Sequence, residues 1–213
     1  MKQQLLTYFC LIIMGLCPAK ALNIDTLFIN TPRHIMPLLD QTAKMDLVDL
    51  YNGGLQARVV NLFGGETFML KKTDTFLSLK TTGSGTWTVK LLPYHNGDTL
   101  IVCAHSVKAG GISTELHTYT KDWTYKKVQI PVLKREALIS LPQTSLPSEQ
   151  QPLVATLQHL PVEVTVNDST QQLSCRLNEE GLTADARQIC KDWLVTVVYE
   201  WNGNGFVLKK DEQ

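Results

Sequence analysis

Four side chains could bind a metal or move a proton. They stand two positions apart in each of two neighbouring segments, in which apolar and polar residues alternate. They are Cys103, His105, Glu115 and His117. Alternate residues of a strand point to one face, so two paired strands would bring all four together. Cysteine, histidine and carboxylate are zinc ligands, and imidazole with carboxylate also serves acid–base chemistry. A zinc or acid–base site on this face is therefore one hypothesis.

The register of the strands decides which face carries these four side chains. A two-residue turn at Asn96-Gly97 would pair Leu91 with Val102 and Val89 with Ala104. That register groups the apolar residues on one face and leaves the four side chains on the other. The simpler interpretation is that they line the solvated side of a sheet. We favour that interpretation, and we assign no metal ligand and no catalytic residue.

Common catalytic and cofactor motifs are missing from the chain. It has no Gly-x-Ser-x-Gly, Gly-x-x-x-x-Gly-Lys-Ser/Thr, Gly-x-Gly-x-x-Gly or His-Glu-x-x-His segment. We therefore expect no bound cofactor. A site can still be assembled from distant residues, so a hydrolase using scattered His, Asp and Glu stays open.

For the other candidate residues we favour a structural role over a functional one. His34 and His159 fall in apolar patterns and are expected to be partly buried structural residues. Four aromatic residues have two interpretations, a carbohydrate platform or the core, and aromatic residues on strands usually belong to the core. These are Trp123, Tyr125, Tyr199 and Trp201.

The first 21 residues have the organisation of a cleavable export signal. Lys2 precedes an apolar run over residues 5–16, and small residues stand before the expected cut at Ala21. The run is shorter than the ~20 residues that a spanning helix needs. We expect cleavage after Ala21 and no lipid on Cys17, because a bulky leucine precedes it. The mature protein should then lie in the periplasm or cell envelope.

Charge and hydropathy limit the partners of the chain. It has 20 basic and 20 acidic residues, and loss of Lys2 and Lys20 with the signal leaves 18 against 20. This small imbalance argues against nucleic acid, which requires a concentrated basic surface. After the signal no apolar stretch reaches membrane-spanning length. The expected partner is an unidentified protein or cell-surface component.

Three cysteines would remain after loss of the signal. Export permits a disulfide, and Cys175 with Cys190 is the better pair because the two flank one strand–helix unit. Cys103 lies in an apolar run typical of a buried thiol. Three reduced, buried cysteines fit the odd count equally well, so the pairing stays open.

The pattern of apolar residues predicts helices first and strands afterwards. Residues 31–50 are typical of one broken or two short helices that begin at Thr31-Pro32 and are interrupted at Pro37 and at residues 40–42. Alternation with glycine-containing turns then predicts an antiparallel meander. Its six strands are residues 56–62, 66–70, 75–81, 86–93, 99–107 and 112–120.

The second half of the chain has a different order of elements. Residues 140–152 contain three prolines and are predicted to form a loop or linker. The following elements are predicted strands 153–160, 162–166 and 172–177, a helix capped by Thr183, and a hairpin of 194–201 with 206–209. Trp87 and Trp193 each precede an Asn-Gly pair by nine positions. A duplication or two similar hairpins would explain this, and we favour the second.

We therefore predict an α+β fold. Short N-terminal helices pack on a large antiparallel β-meander over residues 22–139. The 140–152 loop leads to a smaller strand–helix–hairpin unit over 153–213, which can pack with the first part as one domain.

Ordered blocks of sequence resemble a known family. The blocks are Leu27-Phe28-Ile29-Asn30-Thr31-Pro32, Met45-Asp46-Leu47-Val48-Asp49, Val59-Val60-Asn61-Leu62-Phe63-Gly64-Gly65, Thr86-Trp87-Thr88-Val89-Lys90, Tyr119-Thr120-Lys121-Asp122-Trp123 and Tyr199-Glu200-Trp201-Asn202-Gly203. These blocks span nearly the whole chain after the signal, and their order resembles domain-of-unknown-function family 3256. That family consists of small exported proteins of Bacteroidales. The resemblance implies an envelope location and no assigned activity. His105 and His117 lie outside the shared pattern, which weakens the metal hypothesis.

Two functions follow from these observations. The leading one is a non-enzymatic, exported module that binds a protein or cell-surface component, and the alternative is an envelope hydrolase. A binding module should present an apolar–aromatic patch or an exposed sheet edge. An enzyme should present a deep pocket of convergent titratable groups.

Overall fold

The computed structural model describes residues 22–128 and 135–209, so the predicted export signal lies outside the described residues. The helices in these ranges are α1 (Ile24–Ile29), α2 (Gln41–Asn52), α3 (Gln151–Leu157) and α4 (Ala184–Cys190), with 3-10 turns at Arg135–Leu138 and Ser148–Gln150. Within the same ranges, none of the helices combines the length and the apolarity that crossing a bilayer requires.

Two antiparallel sheets form the rest of the fold. The first is a six-stranded meander in chain order, of β1 (Arg58–Val60), β2 (Glu66–Lys72), β3 (Phe76–Lys80), β4 (Gly85–Pro93), β5 (Thr99–Lys108) and β6 (Ile112–Tyr119). The second has the order β10-β9-β8-β7, of β7 (Val162–Val166), β8 (Gln172–Leu177), β9 (Val197–Trp201) and β10 (Phe206–Leu208). The predicted α+β fold is confirmed.

The N-terminal helices differ from those predicted. Helix α1 was not predicted, and Asn23 caps it. Residues 31–40 form turns, because Pro37 lacks the N–H that a helix interior requires. Helix α2 begins after Asp40, whose Oδ1 accepts a hydrogen bond from the Ala43 N–H at 2.8 Å, as is typical of a helix N-cap.

Helix α3 replaces the strand predicted over residues 153–160, so that prediction is wrong. Pro152 stands at the start of the helix, where its fixed φ favours helical geometry. Leu157 is buried in the core, and Leu153 and Val154 pack beside it. Their spacing of three and four residues puts them on one helix face.

The central strands of the first sheet are covered on both faces. Leu77, Val89 and Ile101 face the core that α1 and α2 share with the sheet. Leu92 and Val102 face a second core, formed with the second sheet. Strands covered on both sides carry continuous apolar runs in place of alternation.

The pairing of β4 with β5 is shifted by one residue from the prediction. Leu91 pairs with Ile101 and Val89 with Cys103. The connecting loop has three residues between Tyr94 and Asp98, and Gly97 in it has φ of 84°. A left-handed glycine after a turn is typical of three-residue hairpins. Because β5 is apolar on both faces, its sequence could not exclude the shifted register.

All three described cysteines are free and buried. Cys175 and Cys190 both belong to the core between the sheets. The sequence left open a Cys175–Cys190 disulfide or three reduced thiols, and the structure has the reduced thiols.

Cys175 should make stability depend on pH. Burial raises the pKa of this thiol from 9.0 to about 12, so above pH 9 the unfolded chain loses a proton that the folded chain retains. Its stabilising contribution is complete below pH 9 and is lost as the pH rises towards 12. We expect the free energy of unfolding to fall by about 1.4 kcal/mol per pH unit from this thiol.

Urea unfolding at several pH values, compared between the wild type and Cys175→Ala, measures this slope. Other titrating groups cancel in the comparison, and the values at neutral pH give the packing cost of the substitution. An equal slope in both proteins would contradict the prediction.

Candidate functional site

A cleft of about 210 Å³ opens between the turn over residues 34–38 and strands β5 and β6. We call it the histidine cleft. Its polar and aromatic lining includes His34, Trp87, Cys103, His105, His117 and Tyr119. Cys103 and Trp87 are buried, whereas the three histidines are exposed. The Cys103 sulfur and the Trp87 indole therefore form the floor of the cleft, and the three histidine side chains form its rim.

The pairing of β5 with β6 brings the four predicted side chains onto one face. Cys103 lies opposite His117, and His105 lies opposite Glu115. His117 Nε2 is 3.8 Å from Glu115 Oε2. Three of the four line the histidine cleft, and Glu115 lies outside its lining.

The expectation that this face is solvated is wrong around Cys103. The one-residue shift in register puts Cys103 on the face that the N-terminal segment covers, beside Trp87 and Val89. Among the described residues, no three His, Cys, Asp or Glu side chains are placed to hold a metal ion.

Burial keeps the central groups of the cleft neutral. It raises the pKa of the Cys103 thiol, which therefore stays protonated and is a poor nucleophile or metal ligand. Burial also raises the pKa of Tyr119, and the nearby Cys103 and Tyr125 add to that effect. The cleft therefore presents a neutral, largely apolar floor below a rim of imidazoles.

Thr81 is a lining residue of the cleft whose buried hydroxyl is unpaired. It lines the cleft, the residue is 1 % exposed, and its Oγ1 has no hydrogen-bond partner among the described residues. A buried hydroxyl without a partner costs about 1–3 kcal/mol. Nothing in the sequence singled out this residue, because threonine is common on strands.

His34 is a second residue that the sequence reasoning missed. The sequence predicts a partly buried residue on a helix, but His34 is exposed on the turn and lines the cleft. The reason is that residues 31–40 do not form the predicted helix. His159 is also exposed, so the same expectation is wrong there.

Aromatic rings in tilted contact support the floor. The Trp87 ring lies 6.0 Å from Phe28 and 6.5 Å from Trp123, and Trp123 lies 5.6 Å from Tyr119. Trp123 has φ of 60°, which is uncommon for a bulky residue and marks a backbone held by its surroundings.

The possible carbohydrate platform is not formed. Trp123, Tyr199 and Trp201 are buried, as the favoured core interpretation predicted. Tyr125 differs from the other three, because it is exposed.

The family follows from a comparison with family models. The model described as "Protein of unknown function (DUF3256)" matches residues 17–206. The chain belongs to this family. The predicted resemblance to DUF3256 is therefore confirmed.

The fold recurs in a solved structure from a bacterium of the Bacteroidales. It is described as "Structure of a domain of an uncharacterized protein from Porphyromonas gingivalis W83". That chain is 20 % identical, the match covers 87 % of this chain and 97 % of that one, and the TM-score is 0.73. At this identity the likeness shows the shared fold alone. The comparison with curated proteins gave no match.

Proposed function

We propose that this DUF3256 protein is exported and acts as a binding module of the cell envelope. In this proposal, the histidine cleft takes an aromatic side chain of a protein partner that also carries a hydrogen-bonding group, such as the hydroxyl of a tyrosine. The unpaired Thr81 hydroxyl among the lining residues of a largely apolar cleft carries the proposal. The Thr81 Oγ1 is closed to solvent, so a ligand group that reaches it through a small shift of the lining residues would relieve the cost of its burial.

Exposed apolar residues continue from the cleft across the neighbouring hairpin. Leu38 lines the cleft, and its carbonyl accepts a hydrogen bond from the Leu62 N–H at 2.9 Å. Leu62 and Phe63 follow β1 and are exposed, Phe63 to 77 %. Exposed apolar residues beside a pocket are typical of a protein-binding surface.

A buried asparagine fixes the backbone of the loop that carries Phe63. Asn61 Oδ1 accepts hydrogen bonds from the N–H groups of Phe63 at 3.0 Å and Gly65 at 3.1 Å. Its Nδ2 donates to Thr67 Oγ1 and to the Thr81 carbonyl, both at 3.3 Å. A loop backbone that is already ordered loses less entropy on binding, which favours recognition.

A protein partner fits this surface better than a sugar or a hydrolysed substrate. Within the cleft the indole of Trp87 is buried, so it offers no open face on which a sugar ring could stack. The cleft sulfur is a poor nucleophile, because burial raises the pKa of Cys103. These observations favour binding over cysteine-based hydrolysis.

Photo-crosslinking in intact native cells tests the proposal. The probe is p-benzoylphenylalanine placed at Phe63, and the matched control has it at Leu208, an exposed residue of β10 in the second sheet. We expect a protein adduct at Phe63 and none at Leu208. Adding Thr81→Val should reduce the adduct about three- to tenfold, since a hydrogen bond contributes about 0.5–1.5 kcal/mol.

Mass spectrometry of the protein purified from its native cells tests export. We expect the mature chain to begin at Leu22. An intact Met1 or a lipid on Cys17 would overturn the envelope location. Equal adducts at the two positions, no adduct at either, or no effect of Thr81→Val would overturn the binding surface.

A further inference from the structure

Lys44 is a buried cation with one hydrogen-bond partner. It is 3 % exposed, and its Nζ donates to the Thr31 carbonyl at 2.6 Å. In the described part of the chain no carboxylate lies within 4.0 Å of this ammonium. An ammonium has three donors, so two of them have no partner in those residues.

Two other shielded lysines are better partnered. Lys72 forms an ion pair with Asp25 at 2.6 Å. Lys90 donates both to Thr75 Oγ1 and to the Asp168 carbonyl. Burial of an ammonium is costly unless it is paired and hydrogen-bonded. Accordingly, burial lowers the pKa of Lys44, and Asp40 only partly opposes that effect.

Lys44 lines a pocket of about 470 Å³ next to the start of α2. Arg33 and Asn30 supply further donors to this pocket, and Asp40 is its one carboxylate among the lining residues. The apolar part of the lining consists of Ile29, Leu39 and Leu62. The pocket thus combines two cations, one anion and an apolar wall.

We propose that this pocket binds a monocarboxylate with a short apolar tail. The carboxylate lies between Lys44 and Arg33 and accepts the donors that the protein leaves unpaired, since such charge-assisted hydrogen bonds are strong. The tail contacts Leu39 and Leu62. Asp40 disfavours a dianion such as phosphate, because its negative charge lies in the same lining.

Isothermal titration of the purified protein with hexanoate tests the proposal. We expect saturable binding of hexanoate and no comparable binding of hexanamide, its neutral counterpart, or of inorganic phosphate. Arg33→Gln changes an exposed side chain and should leave folding intact, but it should weaken hexanoate binding about tenfold. Lys44→Met should weaken binding about tenfold to a hundredfold.

Lys72→Met is the matched control, because it removes the same charge outside the pocket. We expect it to change hexanoate affinity less than about twofold. Thermal unfolding of each variant confirms that it is folded before titration.

Several results would overturn the proposal. They are no saturable hexanoate binding up to about 10 mM, equal binding of hexanamide, tighter binding of phosphate, an unchanged affinity in Arg33→Gln, and an equal loss in Lys72→Met and Lys44→Met.

Discussion

Replacement of Trp201 by alanine is expected to lower the free energy of unfolding by about 3–5 kcal/mol. Trp201 is 3 % exposed, and its Nε1 donates to the Pro93 carbonyl at 2.6 Å. Its ring packs edge-on at 5.0 Å from Tyr94 and 5.3 Å from Phe206. Because Pro93 ends β4 and Trp201 ends β9, the substitution removes a contact that joins the two sheets.

Two further variants separate the parts of this effect. Trp201→Phe retains a ring and loses the N–H donor, so we expect a loss of about 1–3 kcal/mol. Leu208→Ala changes an exposed apolar residue of the same sheet and should alter stability by less than about 0.5 kcal/mol. Urea unfolding, followed by circular dichroism, measures the free energy of unfolding of all three variants. A change below about 1 kcal/mol in Trp201→Ala would show that the sheets do not depend on this contact.

Asn61→Ala is expected to have the second largest effect. We expect it to lower the free energy of unfolding by about 2–4 kcal/mol. The substitution removes four hydrogen bonds, two accepted from backbone N–H groups and two donated by the amide. Asn61 is buried, so water cannot replace these bonds without opening the hairpin. Because the loop then loses its fixed shape, the same variant should also reduce the crosslinking adduct at Phe63.

Asn202 is the matched control for Asn61. Its Oδ1 likewise accepts hydrogen bonds from two N–H groups, those of Asn204 and Gly205, each at 3.0 Å. Asn202 is exposed, so water can replace the lost acceptor. We expect Asn202→Ala to cost about 0.5–1.5 kcal/mol. Equal losses in the two variants would contradict the argument from burial.

Local signals in the sequence predicted most of the strands. Strands β7 and β8 have the predicted bounds of 162–166 and 172–177, because alternation in short segments is specific for half-buried strands. The cap at Thr183 likewise predicted α4, since its hydroxyl accepts a hydrogen bond from the Ala186 N–H. These features depend on neighbours in the chain.

Features that depend on distant contacts were predicted less well. Helix α3 lies where the sequence predicts a strand, because a short apolar run has no clear period. Residues 31–40 form turns where the apolar spacing predicts a helix, and Pro37 lies among them. The histidine cleft needs this turn to meet β5 and β6, so its contributors His34 and Thr81 could not be found from spacing.

The sequence by itself determined the family, the α+β class and the order of nearly all strands. Those properties follow from local periodicity, turn residues and ordered sequence blocks. The tertiary structure alone decided the register of β4 with β5, and with it the surroundings of Cys103. The physical reason is that β5 is apolar on both faces, so only the layers packed above and below the sheet distinguish one register from the next.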